Sequence, residues 1–316
     1  MNMMNKKRIF LSICLFIVFF SMLSVASAAL VDNDTKSTAN DDLNTVLRAN
    51  NQGEILGNPA GNFTGLDGLI DATPDGQILP LDSNYTYSSG DEAFANGILI
   101  GKNITINGKG HTLDASNVAT IFNITGNNHV ILMNITFINA NGTNGGAIKL
   151  DSKSTLEIIS CNFINNHAQN NGAAIYLSDS FSTSSSLKIT DSTFINNTAK
   201  SGGAIYLNES STHSSTIENS SFINCTSSGD GGAAFISASN VAFRNVIFEN
   251  NIAGDDGGAV YWQGSNGIIY NITCTNNRGI SADKKDGDTS SSRGGTIAII
   301  EALHFRRRPY TDTPPY

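Results

Sequence analysis

Along most of this chain, apolar and polar residues alternate in short bursts, each closed by Gly or Asn. Period-two alternation marks strands with one buried face. From residue 145 the bursts fall into register. Gly-Gly-Ala followed by apolar residues recurs as GGAIKL at Gly145, GAAIYL at Gly172, GGAIYL at Gly202, GGAAFI at Gly231, GGAVYW at Gly257 and GGTIAI at Gly294, in steps of 27, 30, 29, 26 and 37 residues. An aromatic followed by Asn recurs beside it. FINAN stands at Phe137, FINNHA at Phe163, FINNTA at Phe194, FINCTS at Phe222 and FENNIA at Phe248, with a degenerate copy at Cys274; the steps are 26, 31, 28, 26 and 26.

Two motifs that advance together mean that one structural unit is being stacked. The Gly pair lets the chain turn and pass close to its neighbour. Ile148, Ile175, Ile205, Ala234 and Val260 fall at one equivalent inward position, and the Phe residues are expected to stack coil on coil. A third apolar stretch lies between the motifs, as at Leu156, Leu187 and Val241. Three strands in each circuit of about 27 residues describe a parallel β-solenoid. The prediction is an all-β fold, a right-handed parallel β-helix of about eight coils over residues 61–300, with a short N-terminal capping helix.

Upstream, Asn103–Gly108 and His111–Asp114 read as two strands joined at a Gly turn, continued by Ile121–Ile124 and Val130–Leu132. Phe63, Leu66, Leu69 and Ile70 have helical spacing, followed by a turn at Asp75-Gly76 and a strand over Ile78–Leu81. A helix here covers strand edges and core that an open coil would expose. Asn tolerates left-handed backbone, and its amide bonds up and down a stack of like residues. The pairs Asn165-Asn166, Asn196-Asn197, Asn250-Asn251 and Asn276-Asn277 therefore read as corner ladders. Twelve Asn-x-Ser/Thr sequons occur, and those at Asn103, Asn134 and Asn271 are expected in buried ladders.

The N-terminus adds an export signal over 1–28: Lys6, Lys7 and Arg8, an apolar run from Ile9 to Phe20, then Ala26-Ser27-Ala28. Residues 29–60 read as a flexible lead-in. No stable membrane span is expected after cleavage. Formal net charge is −8 with only 15% charged residues, which gives no electrostatic reason to bind nucleic acid. Cys161, Cys225 and Cys274 are odd in number and widely spaced, so they form no disulfide framework. The tail 301–316, with Arg306-Arg307-Arg308 and Pro309, Pro314 and Pro315, matches neither repeat nor anchor. It reads either as the product of a truncation or frameshift or as a short cap, and an uncovered solenoid end would invite end-to-end self-association.

The GGAIYL and FINN copies resemble the polymorphic outer membrane protein repeat, which pairs GGA[ILV] with FxxN. FxxN is matched at Phe163/Asn166, Phe194/Asn197 and Phe248/Asn251, and broken at Ala140 and Cys225. The strings NITINGKGHTLDA at Asn103, IFNIT at Ile121, NITFINA at Asn134 and NYTY at Asn84 resemble adhesin-like surface proteins of methanogenic archaea. The resemblance implies a pectin-lyase-like β-helix on the cell surface with an adhesive role.

Candidate chemistry is sparse. Asp230 and Asp256 precede Gly pairs of adjacent coils, and with Asp255 they form the best acidic cluster. The cluster reads either as solvated turns, which Asp favours, or as a calcium or catalytic site. No general base or converging acid–base set accompanies it. The expectation is therefore an exported, adhesin-like protein whose repeated faces bind glycan or a partner cell, with no catalytic, metal or cofactor residues assigned. The alternative is a carbohydrate-active enzyme, a polysaccharide lyase, hydrolase or epimerase, on the same scaffold.

Overall fold

A burst of three or four alternating residues buries too little to fold alone, so each strand needs its copy one circuit away. The computed structural model describes residues 61–151, 153–178, 185–208, 214–280 and 297–299. The expected signal, lead-in and tail lie outside them. Within them the chain winds as an all-β right-handed parallel solenoid of about seven turns, with one short helix near its N-terminal end. Sheet I runs from Ile78–Pro80 through Thr155–Ile159 to Ile268–Tyr270, sheet II from Tyr85–Thr86 through Asn162–Ile164 to Thr273–Thr275, and sheet III from Asn96–Ile100 through Ile175–Ser178 to Ile297–Ile299. Each has eight parallel strands.

The register is the one the repeats predict. Ile148, Ile175, Ile205, Ala234 and Val260 pair in consecutive rungs of sheet III. Phe137, Phe163, Phe194, Phe222 and Phe248 pair in sheet II and are buried. Their rings stack with centroids 4.6 to 5.1 Å apart and interplanar angles of 14° or less.

Three strands per circuit is corrected to four. A six-stranded sheet IV, from Asn141–Asn144 to Arg278–Gly279, follows the FINN corner. Most of its strands are two residues long and turn a single small side chain inward, such as Ala199, Ser227 or Ala253. That is too little apolar alternation to register in the sequence. Ala168, Ala173 and Ala199 form a small core of their own beneath it.

The Asn pairs divide their work. The first member takes left-handed backbone, with φ between 54° and 56° at Asn165, Asn196, Asn250 and Asn276. The second bridges coils and is buried at Asn166, Asn197 and Asn251 and half-buried at Asn277. Asn197 Nδ2 donates to the Phe163 carbonyl at 3.0 Å, while its Oδ1 accepts from Asn166 N and Nδ2 at 3.1 and 3.0 Å. Asn251 repeats the pattern toward Phe222 and Cys225. Where Cys225 replaces this Asn, it is fully buried, and burial pushes its thiol up to about 11. The sequon ladders differ from expectation: Asn134 and Asn271 are exposed and Asn103 is half-buried. At Asn134 and Asn271 φ is 54° and 50°, and these left-handed corners turn the amide outward.

Helix α1, Phe63–Ala72, closes the N-terminal end with Phe63, Leu66 and Ile70 inward, whereas Leu69 is 38% exposed. Both of its ends are tied down. The buried Asp91 carboxylate accepts from Phe63 N, Thr64 N and Thr64 Oγ1 at 3.2, 2.9 and 2.6 Å. Lys102 Nζ donates to the carbonyls of Ile70, Asp71 and Thr73 at 2.9, 3.0 and 2.9 Å. Anion at the N-terminus and cation at the C-terminus both oppose the helix dipole.

Candidate functional site

In sheet III the residues between the inward ones point outward. One row in register reads Asn123, Lys149, Tyr176, Tyr206, Phe235 and Tyr261. Its four aromatics form a second ring ladder, half-buried, with centroids 5.4, 4.8 and 4.9 Å apart and interplanar angles of 19°, 8° and 16°. The faces between successive rings are covered, so the ladder turns chiefly its ring edges to solvent. Ring edges carry the positive part of the aromatic quadrupole and suit oxygen-rich ligands. Burial, then the nearby Tyr176, pushes the Tyr206 hydroxyl above its ordinary value.

Along one border of this sheet, a turn row follows the same register. Asn144, Asn171, Ser201, Asp230 and Asp256 each precede a glycine whose φ lies between 57° and 69°. The N–H groups of Gly145, Gly172, Gly202 and Gly231 donate to the carbonyls of Asn171, Ser201, Asp230 and Asp256 in the next coil, at 2.9 to 3.0 Å. A Cβ on Gly202 would stand 2.1 Å from the Ile205 carbonyl oxygen, so the turn demands glycine.

At the upstream end of this border lies a polar cleft of about 550 Å³. It opens where sheet IV begins: Asn141–Asn144 is that sheet's first strand, and residues 115–119 of the coil before it form no strand. Asn123, Asn144, Thr120 and Gln169 line it, together with the exposed Val118 and with Lys149, the one charged side chain of its wall among the described residues. Asn123 Oδ1 and Asn144 Oδ1 are buried there without a hydrogen-bond partner. A buried acceptor left unpaired costs about 1–3 kcal/mol, which a donor entering the cleft would relieve.

The downstream end is acidic. Asp230, Asp255 and Asp256 each place one carboxylate oxygen within 4.8 Å of the others. Asp256 N donates to Asp230 Oδ1 at 3.1 Å. Burial, reinforced by the charges of Asp255 and Asp256, pushes the Asp230 carboxyl above the usual carboxylate range. The three carboxylates singled out by spacing are thus brought together. The outer aromatic ladder was not singled out, although an aromatic stands four residues after the first motif glycine in four successive coils. The cleft was not legible, because it depends on where the fourth sheet starts.

Comparison with known proteins agrees with the architecture. The family described as "Right handed beta helix region" matches residues 181–297. The Chlamydia polymorphic membrane protein repeat matches residues 160–178, which hold Phe163–Asn166 and the Gly172 copy. Among solved structures, the chain is similar to one titled "complex structure of alginate lyase AlyF-OU02 with G6", at 13% identity and a TM-score of 0.31, covering 76% of this chain. It spans 62% of the length of that lyase chain. No curated protein matches it by sequence. The two family matches fit a surface repeat protein of β-helix architecture. No helix among the described residues is long and apolar enough to cross a membrane.

Proposed function

We propose that this chain is an exported, adhesin-like surface protein that binds glycan along the outer face of sheet III, without catalysis. The observation that carries the reading is the outward row from Asn123 to Tyr261, which repeats hydrogen-bonding and aromatic groups once per coil. Successive sugar units of an extended glycan would meet successive rungs. A glycan array probed with the full chain tests this. Binding should appear for at least one oligosaccharide class and weaken about tenfold in Tyr206→Ala. An array without signal, or one unchanged by that substitution, overturns it.

The raised carboxyl of Asp230 beside Asp255 and Asp256 favours one second reading, a carbohydrate-active enzyme. Burial and like charges make a carboxyl hold its proton to higher pH, the direction of shift that a general acid uses. Cleavage of uronate polymers that disappears in Asp230→Asn or Asp256→Asn would establish it over the binding role.

A further inference from the structure

We infer that the chain carries N-linked glycans at Asn84, Asn219 and Asn224, all three beside sheet II, while the other described sequons stay bare. The inference rests on the export reading and adds a modification that neither the binding nor the catalytic reading requires.

Twelve Asn-x-Ser/Thr sequons say little as sequence, but the fold sorts them. An acceptor needs an exposed Asn whose Nδ2 is not committed to the protein. Asn33 lies outside the described residues. Asn62, Asn103, Asn123, Asn141 and Asn208 are half-buried, so a glycan there would have to displace packed neighbours. Asn134, Asn196 and Asn271 are exposed, but each Nδ2 is seated on the adjacent coil. They donate to Oδ1 of Asn107, Asn165 and Asn245 at 3.4, 3.1 and 2.8 Å. A sugar ring on such a nitrogen would crowd the neighbouring amide.

The three sites left are exposed and open. Asn84 Oδ1 accepts from Thr112 N at 2.9 Å, and Asn219 Oδ1 accepts from Asn245 Nδ2 at 2.9 Å. With the oxygen held on the protein, each planar amide turns its nitrogen away from that contact. Asn224 sits at an exposed corner with φ of 55°, and its side chain makes no hydrogen bond among the described residues. At each of these, Nδ2 can attack the anomeric carbon of a lipid-diphosphate-linked oligosaccharide. The N–C bond forms, the C–O bond to the diphosphate breaks, the amide loses one proton, and lipid diphosphate leaves.

Their placement gives the glycans a use. Asn219 and Asn224 stand at the two ends of Ser221–Ile223, and Asn84 leads into Tyr85–Thr86, both strands of sheet II. The outward row of that sheet reads Ile138, Ile164, Ile195 and Ile223 in register, each half-buried. An apolar stripe of this kind invites association, and a bulky hydrated glycan at its border shields it. In the outward row of sheet III the one sequon residue is Asn123, whose Oδ1 is buried. Modification therefore leaves the aromatic row open to a ligand.

Peptide mass spectrometry on the protein isolated from its native cells tests this. Peptides over Asn84, Asn219 and Asn224 should carry glycan, and those over Asn103, Asn123 and Asn141 should carry none. Expressed in the same cells, Ser221→Ala should remove the glycan from Asn219 and Thr226→Ala that from Asn224, although the Asn remains. Thr226→Ser keeps the sequon and should keep the glycan. Unmodified peptides at all three sites overturn the inference, as does equal occupancy at Asn103, Asn123 and Asn141. If those unmodified peptides come from protein recovered outside the cell, the export reading stands. If they come from protein retained in the cytoplasm, that reading falls too.

Discussion

Two aromatic ladders run along this solenoid at the same coil spacing, and they differ in what surrounds them. The Phe ladder of sheet II is sealed, its rings closed on by neighbouring coils and by core side chains. The aromatic ladder of sheet III has the same stacking but leaves its edges half-open. Ring-to-ring contact is therefore common to both, and burial of the ring edge separates a stabilising ladder from one available to a ligand. The hydrophobic term scales with area removed from water, so it weights the inner ladder far more heavily.

Substitution should expose that asymmetry. Phe194→Ala removes a fully buried ring between two stacked neighbours and should cost about 3–5 kcal/mol, read as a lowered urea midpoint. A midpoint equal to the parent's would mean that the ladder does not carry the core.

Asp91 tests whether a buried polar group matters as much. Burial pushes its carboxyl up, but hydrogen bonds from Thr64, Ser88 and Phe63 outweigh this and hold it below the usual range. A depressed folded pKa contributes stability above the unfolded value of about 3.9, and that contribution is lost as pH falls through the folded value. The α1 amides should therefore lose hydrogen-exchange protection as the solution is acidified below about pH 4. Asp91→Ala should cost about 2–3 kcal/mol and loosen α1 already at neutral pH. Protection in Asp91→Ala that matches the parent at neutral pH would show that apolar contacts alone seat the helix.

Asn197→Ala should cost about 1–3 kcal/mol by leaving the Asn166 N–H and the Phe163 carbonyl unpaired. At the next rung Cys225 keeps part of this bonding, its Sγ donating to the Phe194 carbonyl at 3.6 Å. Tyr206→Ala should have the smallest effect on stability, about 0.5–1.5 kcal/mol, while reducing glycan binding about tenfold. Were it to destabilise as much as Phe194→Ala, the outer ladder would be a second core and the comparison would fail.

The sequence by itself determined the repeat, the inward register and the capping helix. These follow from local alternation and from motifs that return every coil, so the evidence for each is repeated along the chain. The acidic trio was legible for the same reason, as residues fixed to a repeated turn. Tertiary structure alone decided the rest. Sheet IV escaped notice because a two-residue strand with one inward Ala carries no periodic signal, yet its first strand creates the cleft. Asn123 and Asn144 belong to different motifs, and nothing local joins them. Asp91 and Lys102 lie 28 and 32 residues from Phe63 and Ile70, the helix ends that they hold, and a lone charge in a polar stretch looks like any other. A repeated contact is written many times in a chain, whereas a contact made once is visible only after the coils have stacked.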